Sequence, residues 1–539
     1  MMCFVATASI YFSNLNDIRN AIKAVGCVLM VAFNLGILLF WQRKVQRFRM
    51  KFCAMIVACN ELTIFLIWVC VQICLVLFGA GDASSMFQVP LNNSIDGLYS
   101  FKKKDSKLRI SILTMGSRGD VQPFIALALE MQKHSHVQVV ICTMDSYKEL
   151  VERYGLGFRS VGVKDLAFNQ AANKRIWRDS EHVSQVVTKL QEGIAHHYDT
   201  IAHNMLAACE GCDIIIATAV TSGYGLNIAE HLHVPCWLVK LSPDSPTRAF
   251  APAGKTSSPI GFLNLMMWYH SWFKIFVAAA GSRKRDNPEE GFRKQLGIGP
   301  LGGGKRIRQM QNTPTLCAFS SSIVPKPADY PVSCFVTGFW FLESDVIDSH
   351  SQLDSFVGES KPACINFGSM TEVAKDFGLI EKLLESISIA KLSCNKVVIV
   401  DPYINDEMQT CDNFPNLDIF ILKEIPHELI FPKCSLVIHH GGAGTSARVL
   451  EFGVPSLIIP IMIWTDQPLW ADIFQQMNCA VHVDRRVDEF VIHAAEATKQ
   501  LIDNPLFSNA SKLVARKIES EASGIQVAAN LILESTFSK

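Results

Sequence analysis

Short β-branched runs recur along this chain, with helical patterns between them. The first set reads LRISILTMG, VQVVICT, CDIIIATA, PCWLVKLS and TPTLCAFS, separated by stretches such as FIALALEMQKH. After VTGFWFLES and a polar stretch to Ser360 the pattern restarts with ACINFGSM, KVVIVD, LDIFILKE, LVIHHGG, SLIIPI and CAVHVD. Strand–helix–strand alternation points to parallel pairing, because a parallel neighbour needs a crossover long enough to hold a helix. The expectation is an α/β chain with two facing Rossmann-like halves, at residues 108–340 and 341–539, the second ending in a helical stretch after Asp503. Ligands in such sheets sit at the carboxyl ends of the strands, so the cleft between the halves is the expected site. A length of 539 residues is too great for one core.

The first 107 residues read differently. Ala24–Trp41 and Leu62–Gly79 carry no charge and are 18 residues each, or ~27 Å of helix, just enough to span hydrocarbon. QRKVQRFRMK between them holds five positive charges and no acid. The expectation is a membrane hairpin and then a basic linker ending in FKKKDSK. A signal peptide fits poorly, since there are two segments and no clear small-residue cleavage site. Both basic stretches belong in the cytosol by the positive-inside rule. If both segments span, or only the second does, the two halves lie in the lumen; both basic stretches are cytosolic if one segment is re-entrant or interfacial, and Asn60, Glu61 and Gln72 single out the second. The C-terminal halves are then expected to face the cytosol.

Lys+Arg and Asp+Glu balance at 50 each, so charge makes no case for nucleic acid. The 17 cysteines are scattered and often lie inside apolar strands, which reads as reduced, buried thiols. Cys209-Glu-Gly-Cys212 is a lone CxxC without a second pair, a weak case for zinc or redox chemistry. GPLGGGKR from Gly299 nearly spells a P-loop, but Arg306 stands where Ser or Thr must hold magnesium. A flexible loop is expected there.

HHGGAGTSARVLEFGVP, from His439 to Pro455, joins a buried strand to a helix. Gly441, Gly442 and Gly444 leave the turn without side chains, and Thr445 lies where the helix starts. Bare amides at a helix N-terminus bind phosphate, and His440 and Thr445 add donors. The alternative is a glycine-rich turn with core histidines. WTDQPLWADIF follows the next strand. There Asp466 and Gln467 suit the vicinal hydroxyls of a sugar, or Asp466 caps the next helix.

These motifs resemble the nucleotide-sugar signature of family 1 glycosyltransferases of GT-B fold. They are most like those of sterol 3-beta-glucosyltransferases and bacterial antibiotic-glycosylating relatives. The resemblance runs from Leu108 to the C-terminus through MGSRGDVQPFIALA (from Met115), SPDSPTRAF (from Ser242), SSIVPKPADYP (from Ser321), VTGFWFL (from Val336), INFGSM (from Ile365) and IPHELIFPKC (from Ile425). It implies a UDP-sugar, with His440 on a phosphate, Gly442, Ala443, Gly444 and Thr445 around the diphosphate, and Asp466 and Gln467 on the sugar. Gly116, Ser117, Gly119, Gly368, Ser369, Ile425, His427 and Gly441 are expected around the same donor. Asp120 stands where plant relatives have histidine, and is the candidate base that takes the acceptor hydroxyl's proton late in the transition state. The alternative is that Asp120 caps a helix beginning near Gln122 or pairs with Arg118.

Two departures stand out. Glu424 occupies the place of the plant tryptophan that stacks uracil, and Arg448 replaces the glutamate that holds ribose, with Glu451 three residues on. No Asp-x-Asp pair marks a metal site, so none is expected; helix amides and His440 take the leaving-group charge. GFLNLMMWYHSWFKIFVAAAG, from Gly261, fits either a core helix or a wall of an apolar acceptor cleft, and its length and interior His270 and Lys274 argue against a third span. The implied activity is inverting transfer of glucose from UDP-glucose to the 3-hydroxyl of a membrane sterol. A different lipid or polyketide acceptor, or an inactive binding protein, are the alternatives.

Overall fold

The computed structural model describes residues 107–164, 183–252, 255, 257–270, 288–301, 303–343, 351–403, 413–463 and 465–537. The two apolar segments, the basic linker to residue 106 and residues 271–287 lie outside this set. Among the described residues no helix is long and apolar enough to cross a membrane.

Two parallel sheets carry the fold. The first takes β1 (Leu108–Leu113), β2 (Val137–Thr143), β3 (Gly157–Ser160), β4 (Ile214–Thr218), β5 (Cys236–Lys240), β6 (Thr315–Cys317) and β7 (Cys334–Val336) in the order β3-β2-β1-β4-β5-β6-β7. The second takes β8 (Ala363–Asn366), β9 (Lys396–Val400), β10 (Asp418–Leu422), β11 (Leu436–His439), β12 (Ser456–Ile458) and β13 (Ala480–His482) in the order β10-β9-β8-β11-β12-β13. Every adjacent pair is parallel. β4 is central in its sheet, beside β1; β8 and β11 are central in theirs. Such strands are covered on both faces, and residues Ile214–Thr218 and Leu436–His439 are buried throughout.

Two helix starts position the site. Helix α1 (Arg118–Gln132) follows β1. Helix α2 (Ala443–Glu451) follows β11, and α3 (Gln467–Gln476) follows β12. The halves share an apolar cluster that joins Phe319, Ile323 and Phe339 from the end of the first to Leu450, Trp470 and Phe474 of the second. Helix α4 (Gly524–Phe537) returns to the first half, placing Ala528, Ala529 and Ile532 among the residues that pack on β1 and α1.

Two sequence expectations are corrected. Residues 303–312 form a helix, not a flexible loop. Arg306 is the reason: it donates to Asn227 Oδ1 at 2.8 Å and pairs with Glu289, tying the segment to the first half. The helix holding Asp120 begins at Arg118, not near Gln122, because Ser117 is its N-cap.

Candidate functional site

The glycine-rich turn builds one wall. After β11 the chain turns through Gly441, and Gly442 is the N-cap of α2, whose first turn has no side-chain cap. The amides at this helix start are therefore left for a ligand. The His440 ring lies over Gly442: a β-carbon there would fall 2.3 Å from Nε2. His440 is 7% exposed, and its Nδ1 is buried without a hydrogen-bond partner, as is Ser446 Oγ one turn into the helix. Polar atoms that the protein leaves unpartnered beside an uncapped helix start suit an anion. Burial holds the His440 pKa down to about 4, so the imidazole is neutral at pH 7.

His439, which the motif comparison leaves without a role, sets the turn. It is wholly buried and its Nδ1 accepts the Gly441 amide at 3.1 Å. A side-chain acceptor taking the N–H two residues on is the pattern of an Asx turn. No sequence motif encodes this bond, which is local geometry. The Gly441 backbone also touches the second motif, since a β-carbon there would fall 2.9 Å from the Gln467 carbonyl oxygen.

Asp466 precedes α3 and accepts Trp470 Nε1–H at 3.1 Å. It is the helix N-cap by position, but its side chain bonds the indole and not the first-turn amides. Gln467 Oε1 accepts the Ile461 and Met462 amides, both at 2.9 Å. Its oxygen is thus committed to the backbone, and only its amide nitrogen is left for a sugar hydroxyl.

The first half supplies the facing wall. Asp120 Oδ2 accepts the Ser117 amide at 2.6 Å and the Ser117 hydroxyl at 2.9 Å. This is a capping box, so the helix-end alternative holds for Asp120; pairing with Arg118 does not. The carboxylate folds back over Gly116, where a β-carbon would meet Oδ2 at 2.3 Å and φ is +146°. Only glycine fits there. Burial raises the Asp120 pKa, against the Ser117 bonds that lower it. Burial also pushes Asp466 up to about 7, and the next cause is the charge of Asp120. The charge of Asp120 in the first half therefore reaches Asp466 in the second, with Asp244 of SPDSPTRAF a weaker contributor.

The remaining expected residues divide. His427 is stacked on Phe431 at 4.5 Å and held down to about 4 by burial, then by Arg448, with Arg118 and His440 also contributing. It sits with the turn. Thr445 is buried at the helix start, and Ser369 is exposed beside Gly368, whose amide donates to Asn366 Oδ1 at 2.9 Å. Ile425 is buried in an apolar cluster with Phe431 and Cys434, so its side chain serves the core. Gly119 is exposed in the first turn of α1. Arg118 pairs with Glu424 at 3.2 Å, linking the halves beside the site. Arg448 pairs with Glu451 at 2.7 Å, donates to the Leu342 carbonyl at 2.8 Å and lies over the Phe341 ring at 4.3 Å. Both residues brace the connection between the halves and do not stand free for a ribose. No group of three or more His, Cys, Asp or Glu among the described residues is placed to hold a metal.

Two parallel sheets, with a glycine turn after a strand in one and a capped carboxylate after a strand in the other, match the GT-B fold. Comparison with known proteins agrees. Residues 110–251 match the glycosyltransferase family 28 N-terminal domain, and residues 389–533 match the erythromycin biosynthesis protein CIII-like C-terminal domain. The chain is a glycosyltransferase by its likeness to these domains and relatives. It is 26% identical over 378 residues to the O-mycaminosyltylonolide 6-deoxyallosyltransferase of Streptomyces fradiae, covering 69% of this chain and 85% of that one. It is 27% identical over 440 residues to the sterol 3-beta-glucosyltransferase of Pichia angusta, covering 79% of this chain but 33% of that one. The chain thus spans about a third of the length of that fungal relative. Among solved structures it is similar to glycosyltransferase VinC in complex with DTDP (TM-score 0.55, 16% identity, 80% of this chain, 100% of that one) and to the glycotransferase of kitacinnamycin (TM-score 0.56, 18% identity, 79% and 98%). These likenesses establish the fold.

Proposed function

We propose that this chain transfers glucose from UDP-glucose to the 3-hydroxyl of a membrane sterol, with inversion at the anomeric carbon. The observation that carries the proposal is that the charge of Asp120 in one half reaches Asp466 in the other, whose neighbour Gln467 lies against the glycine turn after His440. The diphosphate rests on the amides of Ala443, Gly444 and Thr445 and on His440, and Asp466 and the Gln467 amide nitrogen hold sugar hydroxyls. The acceptor oxygen attacks the anomeric carbon as the bond to UDP breaks. Its proton passes to Asp120 Oδ1, because Oδ2 is held by Ser117. A carboxylate is too weak to ionise an alcohol beforehand but accepts the proton in the transition state. Charge developing on UDP falls on the helix start and His440.

The sterol acceptor is favoured by the glucosyltransferases among the relatives. A polyketide acceptor is the rival, on the strength of the Streptomyces relative. The joint presence of Asp120, His440, Asp466 and Gln467 argues against an inactive binding protein. We place the chain on a membrane through Ala24–Trp41 and Leu62–Gly79, with the transferase halves in the cytosol. N-glycosylation of Asn92 or Asn509 in cells would overturn that placement, since the cytosol lacks the modification. The activity itself is tested by incubating the protein with UDP-[14C]glucose and a membrane lipid extract. A labelled product with the mass of a sterol glucoside supports the proposal; label on a different lipid reassigns the acceptor, and label confined to free glucose contradicts transfer.

A further inference from the structure

Three hydroxyls converge on the turn between β1 and α1 that carries Asp120. Ser117 donates from the turn itself, its amide at 2.6 Å and its hydroxyl at 2.9 Å, both to Asp120 Oδ2. Thr114, just past the end of β1, is wholly buried, and its hydroxyl donates to the Asp120 carbonyl oxygen at 2.6 Å. Tyr147 reaches across from the single helical turn after β2, Asp145–Tyr147, and its phenol donates to the Gly116 carbonyl oxygen at 3.3 Å. Both supports are fixed in place. The Thr114 amide donates to the Cys142 carbonyl at 3.1 Å, which carries the β1–β2 pairing past the strand end. The Tyr147 amide donates to the Met144 carbonyl at 3.0 Å, and its ring packs against two apolar clusters of the first half.

The Gly116 carbonyl and the Ser117 amide are the two ends of one planar peptide. A hydrogen bond accepted at the carbonyl end holds that plane and strengthens the N–H at the other end as a donor. Tyr147 therefore acts on Asp120 Oδ2 through this peptide, while Ser117 acts on it directly. Donors aimed at a carboxylate favour its charged form. Burial raises the Asp120 pKa and the two Ser117 bonds oppose the rise. The other charged groups are disposed around it. Arg118, next in the same helix, is turned to Glu424 at 3.2 Å. Asp466 of the second half feels the charge of Asp120, and that of Asp244 more weakly.

We propose that Ser117 and Tyr147 are positioning residues for Asp120, joined through the Gly116–Ser117 peptide, and that they hold its carboxylate ionised with Oδ1 turned to the acceptor. Their purpose rests on the reading of Asp120 as the base; the network itself does not. The test reads pH dependence twice, first without turnover. Thermal unfolding of the full chain in detergent is followed from about pH 4 to about pH 8 for the wild type, Ser117→Ala, Asp120→Asn and the double variant. Losing a hydroxyl that only caps the helix costs the same at every pH. Losing one that serves the carboxylate costs more where Asp120 is ionised. The deficit of Ser117→Ala should therefore grow as pH rises, and should stay level with pH when Asp120→Asn is also present. Asp466 is common to all four proteins, so its own titration cancels within each pair. The second reading is transfer of label from UDP-[14C]glucose to the membrane lipid extract over the same range. Without the Ser117 hydroxyl Asp120 keeps its proton to higher pH, so the acid limb should move up by about one pH unit, about tenfold in rate on that limb. Tyr147→Phe should move it the same way by less, and Ser117→Thr, which keeps a hydroxyl, should stay with the wild type. A Ser117→Ala deficit that is level with pH beside an ionisable Asp120, or an acid limb that does not move, would overturn the proposal. Transfer at the wild-type rate by Asp120→Asn would remove the base instead, and the unfolding series would still decide the network.

Discussion

Asp120 and Asp466 stand on different supports in opposite halves, a serine in one case and an indole in the other, and the charge of the first reaches the second. Asp466 rises from its ordinary 3.8 to about 7, by burial first and by Asp120 second. A carboxyl raised on folding contributes stability that is complete below its unfolded value and is lost as pH rises through the folded value. The midpoint of thermal unfolding should therefore fall across that window in the wild type. Asp466→Asn should flatten the fall; parallel curves would show that Asp466 is not perturbed. His440→Ala should weaken UDP binding by about 1.5–3 kcal/mol, the worth of a hydrogen bond to a charged group; unchanged affinity by calorimetry would remove His440 from the phosphate. His439 acts on Gly441 instead. His439→Asn, whose side-chain oxygen also accepts an amide two residues on, should retain UDP affinity better than His439→Leu, and equal losses would refute the positioning role. His440 was legible because its motif is distinctive. His439 was not, since its bond to Gly441 is local geometry that no motif encodes.

At the level of elements, every strand named from its apolar run forms. β3 and β7 are not named from the sequence: Gly157–Ser160 has a single large apolar residue, and the apolar run Cys334–Val336 is only three residues long. Residues 303–312 hid their helix in glycines and charges, and only the distant partners of Arg306 explain it. The terminal stretch was legible as helical, but its destination was not. Sequence adjacency suggests the second half, yet Ile532 is fully buried in the core of the first. Ile532→Ala should destabilise the protein by about 2–5 kcal/mol. In hydrogen exchange the loss should appear in β1 and α1; a loss confined to the second half would contradict the docking of α4.

At the scale of the molecule, the candidate site draws on both halves. One apolar cluster joins them, Arg118 reaches Glu424, and Arg448 grips the connecting segment. The sequence motifs pointed to both walls, but the commitment of Gln467 Oε1, Arg448 and Glu451 to structural partners needed coordinates. The assignment stands most directly on separating binding from transfer in one variant. Asp120→Asn should bind UDP like the wild type by calorimetry and lose about 10²–10⁴-fold in the rate of glucosyl transfer, the usual worth of a general base. Transfer near the wild-type rate would show that Asp120 only caps its helix and that the base lies elsewhere.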